Sequence, residues 1–501
     1  MPTRVVLATR VALLVQRADS SARWYAGKFG DIVVTATISN ESSRGRMSTS
    51  TPGRLTRKEL HSQIESGDID TVILAITDMQ GRLQGKRVDA RFFADDLAEG
   101  VVEGCSYLLA SDVDMNTVDG FALTSWERGY GDLAFAPDFT TIRLVPWHEK
   151  SVMIFCDVET VHGDPVTVSP RQILQNQMGR LAERGWTGLT GTELEFIVFN
   201  DSYEEAWDAG YRNLTPANQY NVDYSLLGTS RVEPLLGRVR RSMRSAGMIV
   251  ESLKGECNYG QHEIAFKYSE LADKCDEHGL FKLGTKEIAA QEGCSITFMA
   301  KYNEREGNSC HIHLSLRDEK DEPVFAGDEE HGFSTVFQHF LAGQVAYARE
   351  LSLFLAPNIN SYKRFVEGSF APTALLWGLD NRTCAFRVVG HGPSIRVECR
   401  IPGGDVNPYL ALAALVAAGL RGIEESLPLA EAFEGNAYVA DAPRVPTSLR
   451  EATELFEASA IARDAFGDDV VDHYSHAARI EVAAFDAAVT DWERYRGFER
   501  L

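Results

Sequence analysis

Several short runs place carboxylates, imidazoles and guanidinium groups two residues apart. In Thr192-Glu-Leu-Glu-Phe-Ile-Val-Phe199 the alternation is that of a strand, in which every second side chain points to one face. Glu193 and Glu195 therefore project together, in a row continued by Ile197 and Phe199. Two carboxylates held side by side repel each other, so one carries a proton or a cation lies between them. A solvated strand edge would carry the same pair with no function. His311 and His313, in Gly307-Asn-Ser-Cys-His-Ile-His-Leu-Ser-Leu316, repeat the spacing, with Ser315 on the same face; either histidine alone reads as structural. In Lys254-Gly-Glu-Cys-Asn-Tyr-Gly-Gln-His-Glu-Ile264, Glu256 and Glu263 bracket a glycine-containing turn that could fold both carboxylates toward one point. Arg396, Glu398 and Arg400 share a face, as an ion-pair ladder or as a metal ligand flanked by anion clamps. Asn360-Ser-Tyr-Lys-Arg364 and Asn381-Arg-Thr-Cys-Ala-Phe-Arg387 add Arg364, Arg382 and Arg387.

Together these are five carboxylates, an imidazole pair and five arginines, mostly at strand period. Hard oxygen ligands with one imidazole suit magnesium or manganese better than zinc or copper. Arginines beside such metals suit phosphates and carboxylates, which guanidinium groups grip bidentately. Phosphoryl transfer needs that combination: metals and guanidinium groups neutralise the transferring charge and hold donor and acceptor in line.

The elements that must position these residues are legible in outline. Leu55, Leu60 and Ile64 predict an amphipathic helix over 55–66, and a strand follows over 71–76, ending near Asp78. Gly81 supplies turn chemistry. Further strands are predicted over 140–145 and 152–158. Ser169-Pro170 combines an N-cap residue with proline at the first helical position, and Ile173, Met178 and Leu181 supply apolar positions of the helix. Helices are also predicted over 334–355, 408–425 and, with breaks, 459–496. A domain boundary falls near 160, giving a small domain over 55–160 and a large one over 161–501.

The bulk numbers exclude some classes. The net charge is -22, which repels a phosphate backbone and argues against nucleic acid as a partner. No apolar run approaches the ~20 residues of a membrane helix. The 8 cysteines are scattered with no C-x-x-C pair, which argues against a zinc module or a disulfide framework and fits a reducing cytosol. Residues 1–54 read as a flexible leader. Residues 1–46 are arginine-rich without a secretory core, and Met47 is a second start.

From about residue 55 to the end, the chain resembles glutamine synthetases. The motifs T-E-L-E-F, G-E-C-N-Y-G-Q-H-E, C-H-I-H-L-S, N-S-Y-K-R, N-R-T-C-A-F-R, R-V-E-C-R and D-V-N-P-Y-L occur in the family's order. The resemblance implies an α+β chain: a small N-terminal β-grasp-like domain and a large C-terminal α/β catalytic domain of glutamine synthetase type. It implies that Glu195, Glu256 and Glu263 hold one metal and that Glu193, His311 and Glu398 hold a second, on the γ-phosphate of ATP. Arg364, Arg400 and Gly307 would bind glutamate. Arg382 and Arg387 would steady the phosphate, and His313, Ser315, Arg396 and Tyr268 would lie with Arg387 on the nucleotide side. Asp78 matches an aspartate that the family's N-terminal domain lends to the neighbouring subunit's site in stacked rings. The implied chemistry has two steps: the side-chain carboxylate of glutamate takes the γ-phosphate, then an amine displaces the phosphate from the γ-glutamyl phosphate.

One run departs from the family. Ammonia-using members carry a glutamate on the flap after N-S-Y-K-R; here the run is Val366-Glu-Gly-Ser-Phe-Ala-Pro372, with Phe370 in that place. A phenyl ring neither binds nor deprotonates ammonium and offers an apolar surface instead. Glu367 is the nearest substitute. The acceptor is therefore expected to be a small organic amine, with ethanolamine the best match among the family's branches. Ordinary glutamine synthesis, a non-catalytic ring-forming sensor and a guanidino kinase are the rival readings. Gly435-Asn-Ala-Tyr438 has the shape of a run that some bacterial members adenylylate, though a surface-loop tyrosine is the plainer reading.

Overall fold

Thr56 and Glu59 close a capping box that starts the helix Arg57–Ser66, where the apolar spacing predicts one. This computed structural model describes residues 51–97 and 102–501, so the leader up to residue 50 lies outside the described residues. The described residues belong to one compact unit, Ser50–Leu501.

Two sheets organise it. In the first, β1 (Thr71–Thr77) pairs antiparallel with β2 (Leu83–Asp89). The strands β3 (Val102–Cys105), β4 (Asp132–Pro137), β5 (Arg143–Leu144) and β6 (Ser151–Thr160) complete it, in the order β2-β1-β6-β4-β3 with β5 on β6. The strand predicted over 140–145 shrinks to β5. Asp138 accepts from the Thr140 amide at 3.0 Å and turns Phe139–Thr141 into a short 3₁₀ helix instead.

The second sheet is built on β7 (Trp186–Phe199), which runs through the middle. Around it lie β8 (Val250–Gly255), β9 (Gln261–Phe266), β10 (Ser269–Glu270), β11 (Ser295–Thr297), β12 (Cys310–Asp318), β13 (Trp377–Leu379), β14 (Phe386–Val389) and β15 (Arg396–Cys399). The order is β13-β14-β15-β12-β7-β9-β8, with β10 and β11 also on β7. The turn between β8 and β9 closes through Gly260, whose φ is +72 and whose missing Cβ would lie 2.5 Å from the Val198 carbonyl.

Helices pack behind this sheet. Pro170 starts the helix Pro170–Ala182 as predicted, although Ser169 makes no side-chain capping bond. The helix Pro408–Glu424 is buried along almost its whole length and lies against Thr335–Tyr347. Their backbones meet where Gly343 faces Gly422; a Cβ on either would approach a carbonyl oxygen to 2.2 Å. The helix predicted over 334–355 breaks into Thr335–Tyr347 and Ser352–Leu355, and 459–496 resolves into Ala460–Phe466, Asp468–Ala487 and Asp491–Gly497. The pattern reading misses the helix Leu271–Gln291. It is buried on several sides, including at Lys274, Asp276, Glu277 and His278, so it has no single apolar stripe. Arg171 reaches Asp276 on it at 3.4 Å, and the Tyr409 hydroxyl donates to the same carboxylate. Asn407 joins the first sheet's turn to the long helix by donating to the carbonyls of Asp78 and Met79. Among the described residues no helix is long and apolar enough to cross a membrane.

Candidate active site

Strand register brings the separated motifs into one row. His311 stands opposite Glu193, His313 opposite Glu398, Glu398 opposite Arg387, and Glu195 opposite Glu263. Nδ1 of His311 lies 3.4 Å from Glu193 and 3.5 Å from Glu398. Nε2 of His313 lies 3.0 Å from Glu193. Carboxylate oxygens of Glu195, Glu256 and Glu263 fall within 4.8 Å of one another, as do ligand atoms of Glu193, His313 and Glu398. Neighbouring groups hold them in place. Glu195 accepts from Gln261 Nε2 at 2.9 Å and from the Ser309 amide at 2.8 Å, and Lys254 pairs with Glu256. Arg387 reaches Glu398 at 2.9 Å, and Arg400 pairs with it as well.

The electrostatics of this row favour a cation. Burial pushes Glu263 up to about 8, and repulsion from Glu193, Glu195 and Glu398 adds to it against the pull of Lys254. For Glu193, burial is outweighed by hydrogen bonds to His311 and His313, which hold it below the usual carboxylate range. For Glu398, burial is likewise outweighed, by the charges of His311, Arg400 and His313. Burial and the charge of Arg400 keep His311 below its ordinary value, against the pull of Glu193, Glu398 and Glu195. Its Nε2 is buried with no hydrogen-bond partner among the described residues. Crowded carboxylates with an unpartnered imidazole nitrogen fit divalent metal ions held by oxygen and nitrogen.

Two cavities meet at Glu193. One, of about 420 Å³, is lined by Tyr268, His313, Ser315 and Arg396 among others. Arg396 Nε lies 3.3 Å from His313 Nδ1. The other, of about 360 Å³, is lined by Glu195, Glu256, Glu263, Gly307, His311, Phe370, Arg382, Arg387 and Arg400, among others. Phe370 is half exposed at its mouth, with a left-handed φ of +58, and its carbonyl accepts from Arg400 at 3.4 Å.

Four residues stand elsewhere than the sequence suggests. Arg364 does not line the second cavity. It is buried beneath, donating to the carbonyls of Ile401 and Arg400 and to Ser309 Oγ. Asp78 is fully buried, its carboxylate taken up by Arg82 at 2.7 Å, Gln84 at 3.1 Å and two backbone amides. Glu367 is exposed on the flap and does not line the second cavity. Tyr438 is not a surface-loop tyrosine: it is 8% exposed, and burial pushes its hydroxyl up. Lys254 and Gln261, which hold Glu256 and Glu195, sit inside a quoted motif, yet only the structure shows what they touch.

Comparison with known proteins shows the family of the chain. Residues 167–496 match the model of the glutamine synthetase catalytic domain. The chain is 64% identical over 444 residues to the γ-glutamylethanolamide synthetase GlnA4 of Streptomyces coelicolor, covering 89% of this chain and 96% of that one. It is 39% identical over 439 residues to a glutamate–isopropylamine ligase of a Pseudomonas species, covering 86% and 96%. A solved structure of GmaS in complex with ADP superposes with a TM-score of 0.77 at 27% identity, covering 88% of this chain and 99% of that one. The chain belongs to the glutamine synthetase family, whose members use ATP and divalent metals to join glutamate to a nitrogen nucleophile.

Proposed function

We propose that this protein is an ATP-dependent ligase that forms a γ-glutamyl amide from glutamate and a small organic amine, ethanolamine first among them, through γ-glutamyl phosphate. The observation that carries it is Phe370 in the lining of a cavity where polar and charged side chains predominate, six carboxylates and three arginines among them. The relatives named as a γ-glutamylethanolamide synthetase and a glutamate–isopropylamine ligase support the amide reading.

In this reading ATP lies in the cavity of Tyr268, Ser315, His313 and Arg396, and glutamate in the adjoining one, where Gly307 and Arg400 line the wall. The two substrates meet at Glu193, which belongs to both cavities. Glu195, Glu256 and Glu263, and Glu193, His311 and Glu398, would hold magnesium or manganese ions, two or more per site, which would supply neutralising charge for the transferring phosphate. Arg387 and Arg382 line the same cavity and place guanidinium groups toward that charge. Arg364 braces the wall from below. Phosphorylation turns the carboxylate oxygen into a leaving group; the amine, having given up its ammonium proton, then bonds through nitrogen to the carbonyl carbon as the C–O bond to phosphate breaks, and a second nitrogen proton leaves as the amide forms. The ring of Phe370 covers the amine's carbon chain, and Glu367 lies on the same flap.

The reading extends to assembly. Residues 55–160 form an N-terminal domain, residues 161–501 the catalytic domain, and the chain works in the cytosol as a homo-oligomeric double ring in which the N-terminal domain packs against a neighbouring site. Phosphate release from ATP, glutamate and magnesium, measured against ammonium, ethanolamine, putrescine, spermidine and an aromatic amine, tests the function. Stimulation by ethanolamine is the expected outcome. Stimulation by ammonium alone would return the chain to glutamine synthesis, and silence with every amine would favour a non-catalytic relative.

A further inference from the structure

We propose that Asp223, with Glu306 beside it, binds the ammonium group of the acceptor amine. This inference rests on the ligase reading above. Six carboxylates line the second cavity: Glu193, Glu195, Asp223, Glu256, Glu263 and Glu306. Four are engaged. Glu193 faces two histidines, Glu195 accepts from Gln261 and Ser309, Glu256 pairs with Lys254, and Glu263 lies 3.7 Å from the same lysine. Asp223 and Glu306 make no ion pair among the described residues. Among the described residues the exposed Asp223 carboxylate accepts only from the weak thiol donor of Cys257, at 3.7 Å, and Oε2 of Glu306 is buried with no hydrogen-bond partner.

The two flank Cys257. Ligand atoms of Asp223, Glu256 and Cys257 fall within 4.8 Å of one another, and the charges of Asp223 and Glu306 both act on the thiol. A primary alkyl amine, like a lysine side chain with its pKa near ~10.4, is a cation at neutral pH with three donors and no acceptor. Two unpaired carboxylates at one mouth suit that group, and Phe370 in the same cavity suits the carbon chain behind it.

The position of Asp223 is built in. Val222 is fully buried, and its carbonyl lies so close to Gly255 on β8 that a Cβ there would approach it to 2.3 Å. The Tyr224 amide donates to the Gly255 carbonyl at 3.3 Å and the Ser225 amide to the Val222 carbonyl at 2.8 Å. Lys254 Nζ sits 5.0 Å from the centre of the Tyr224 ring. Asp223 is thus carried on a turn tied to the edge strand of the catalytic sheet.

The test compares a charged acceptor, ethanolamine, with hydroxylamine, which is uncharged at neutral pH, in phosphate release by the full chain. In Asp223→Asn the ratio of kcat/KM for ethanolamine over hydroxylamine should fall about tenfold or more, the loss of one charge-assisted hydrogen bond. The KM for ethanolamine should rise more than that for glutamate. Asp223→Glu should recover much of the ratio, and Glu306→Gln should lower it. An unchanged ratio in Asp223→Asn, with the parent still consuming ethanolamine, would overturn the role of Asp223 and leave the ligase reading standing. Equal loss with both acceptors would also overturn it, as a structural effect. A parent silent with every amine would overturn both.

Discussion

Glu195 and Glu263 stand directly opposite each other on adjacent antiparallel strands, each only 7% exposed. Like charges in that arrangement are destabilising unless something neutralises them. Glu256 joins them from the β8–β9 turn, and among the described residues only Lys254 makes an ion pair with members of the group, Glu256 and Glu263. Glu263→Gln removes one charge from this group. Without divalent ions the variant should melt no lower than the parent. With excess magnesium the parent should gain more in Tm than the variant, because only binding to the native state stabilises it. Equal gains would place the metal elsewhere.

Phe370→Glu restores a carboxylate at the cavity mouth while keeping the flap's length. Turnover with ammonium relative to ethanolamine should rise by about tenfold or more, since a charge-assisted contact to ammonium is gained and an apolar surface lost. Steady-state kinetics with both acceptors check this. No change in the ratio would remove Phe370 from acceptor choice.

Arg396 lies against His313 in the cavity assigned to nucleotide. Arg396→Ala should raise the KM for ATP about tenfold to a hundredfold, as expected for a lost hydrogen bond to a charged group, with a smaller effect on the KM for glutamate. The reverse pattern would exchange the two cavities.

His473 supplies a pH dependence remote from the chemistry. It is buried on the helix Asp468–Ala487 with its ring 4.6 Å from that of Phe121. Burial lowers it from 6.5 to about 4, opposed by a hydrogen bond that the ring donates to the Leu109 backbone and helped by His476. A histidine lowered in the folded state contributes stability above 6.5 that is lost as pH falls toward about 4, because the unfolded chain takes up the proton first. His262 is lowered to about 4 too, so several residues share the slope. His473→Gln should make the acid side of a Tm-against-pH curve shallower. An unchanged slope would mean that His473 is protonated in the fold.

The site was readable where side chains follow strand period. Glu193 with Glu195, and His311 with His313, needed only the rule that alternate residues share a face, and β7 and β12 obey it. The turn at Gly260 brought Glu256 and Glu263 together as its glycine suggested. What stayed hidden depends on partners distant in sequence. Arg364 sits in a motif but spends its donors on the carbonyls of Arg400 and Ile401, which no local pattern reveals. The helix Leu271–Gln291 was missed because its polar residues are satisfied inside the molecule, as Asp276 is by Arg171 and Tyr409. Asp223 and Glu306 lie in runs with no periodicity, and only the cavity they line brings them beside Glu256.

Acceptor choice is the central claim, and a competition assay measures it most directly. The full chain is given ATP, magnesium and glutamate with equal concentrations of ammonium and deuterium-labelled ethanolamine, and the γ-glutamyl products are identified by mass spectrometry. Labelled γ-glutamylethanolamide as the main product is the result predicted here. Glutamine as the main product, with little label incorporated, would contradict it.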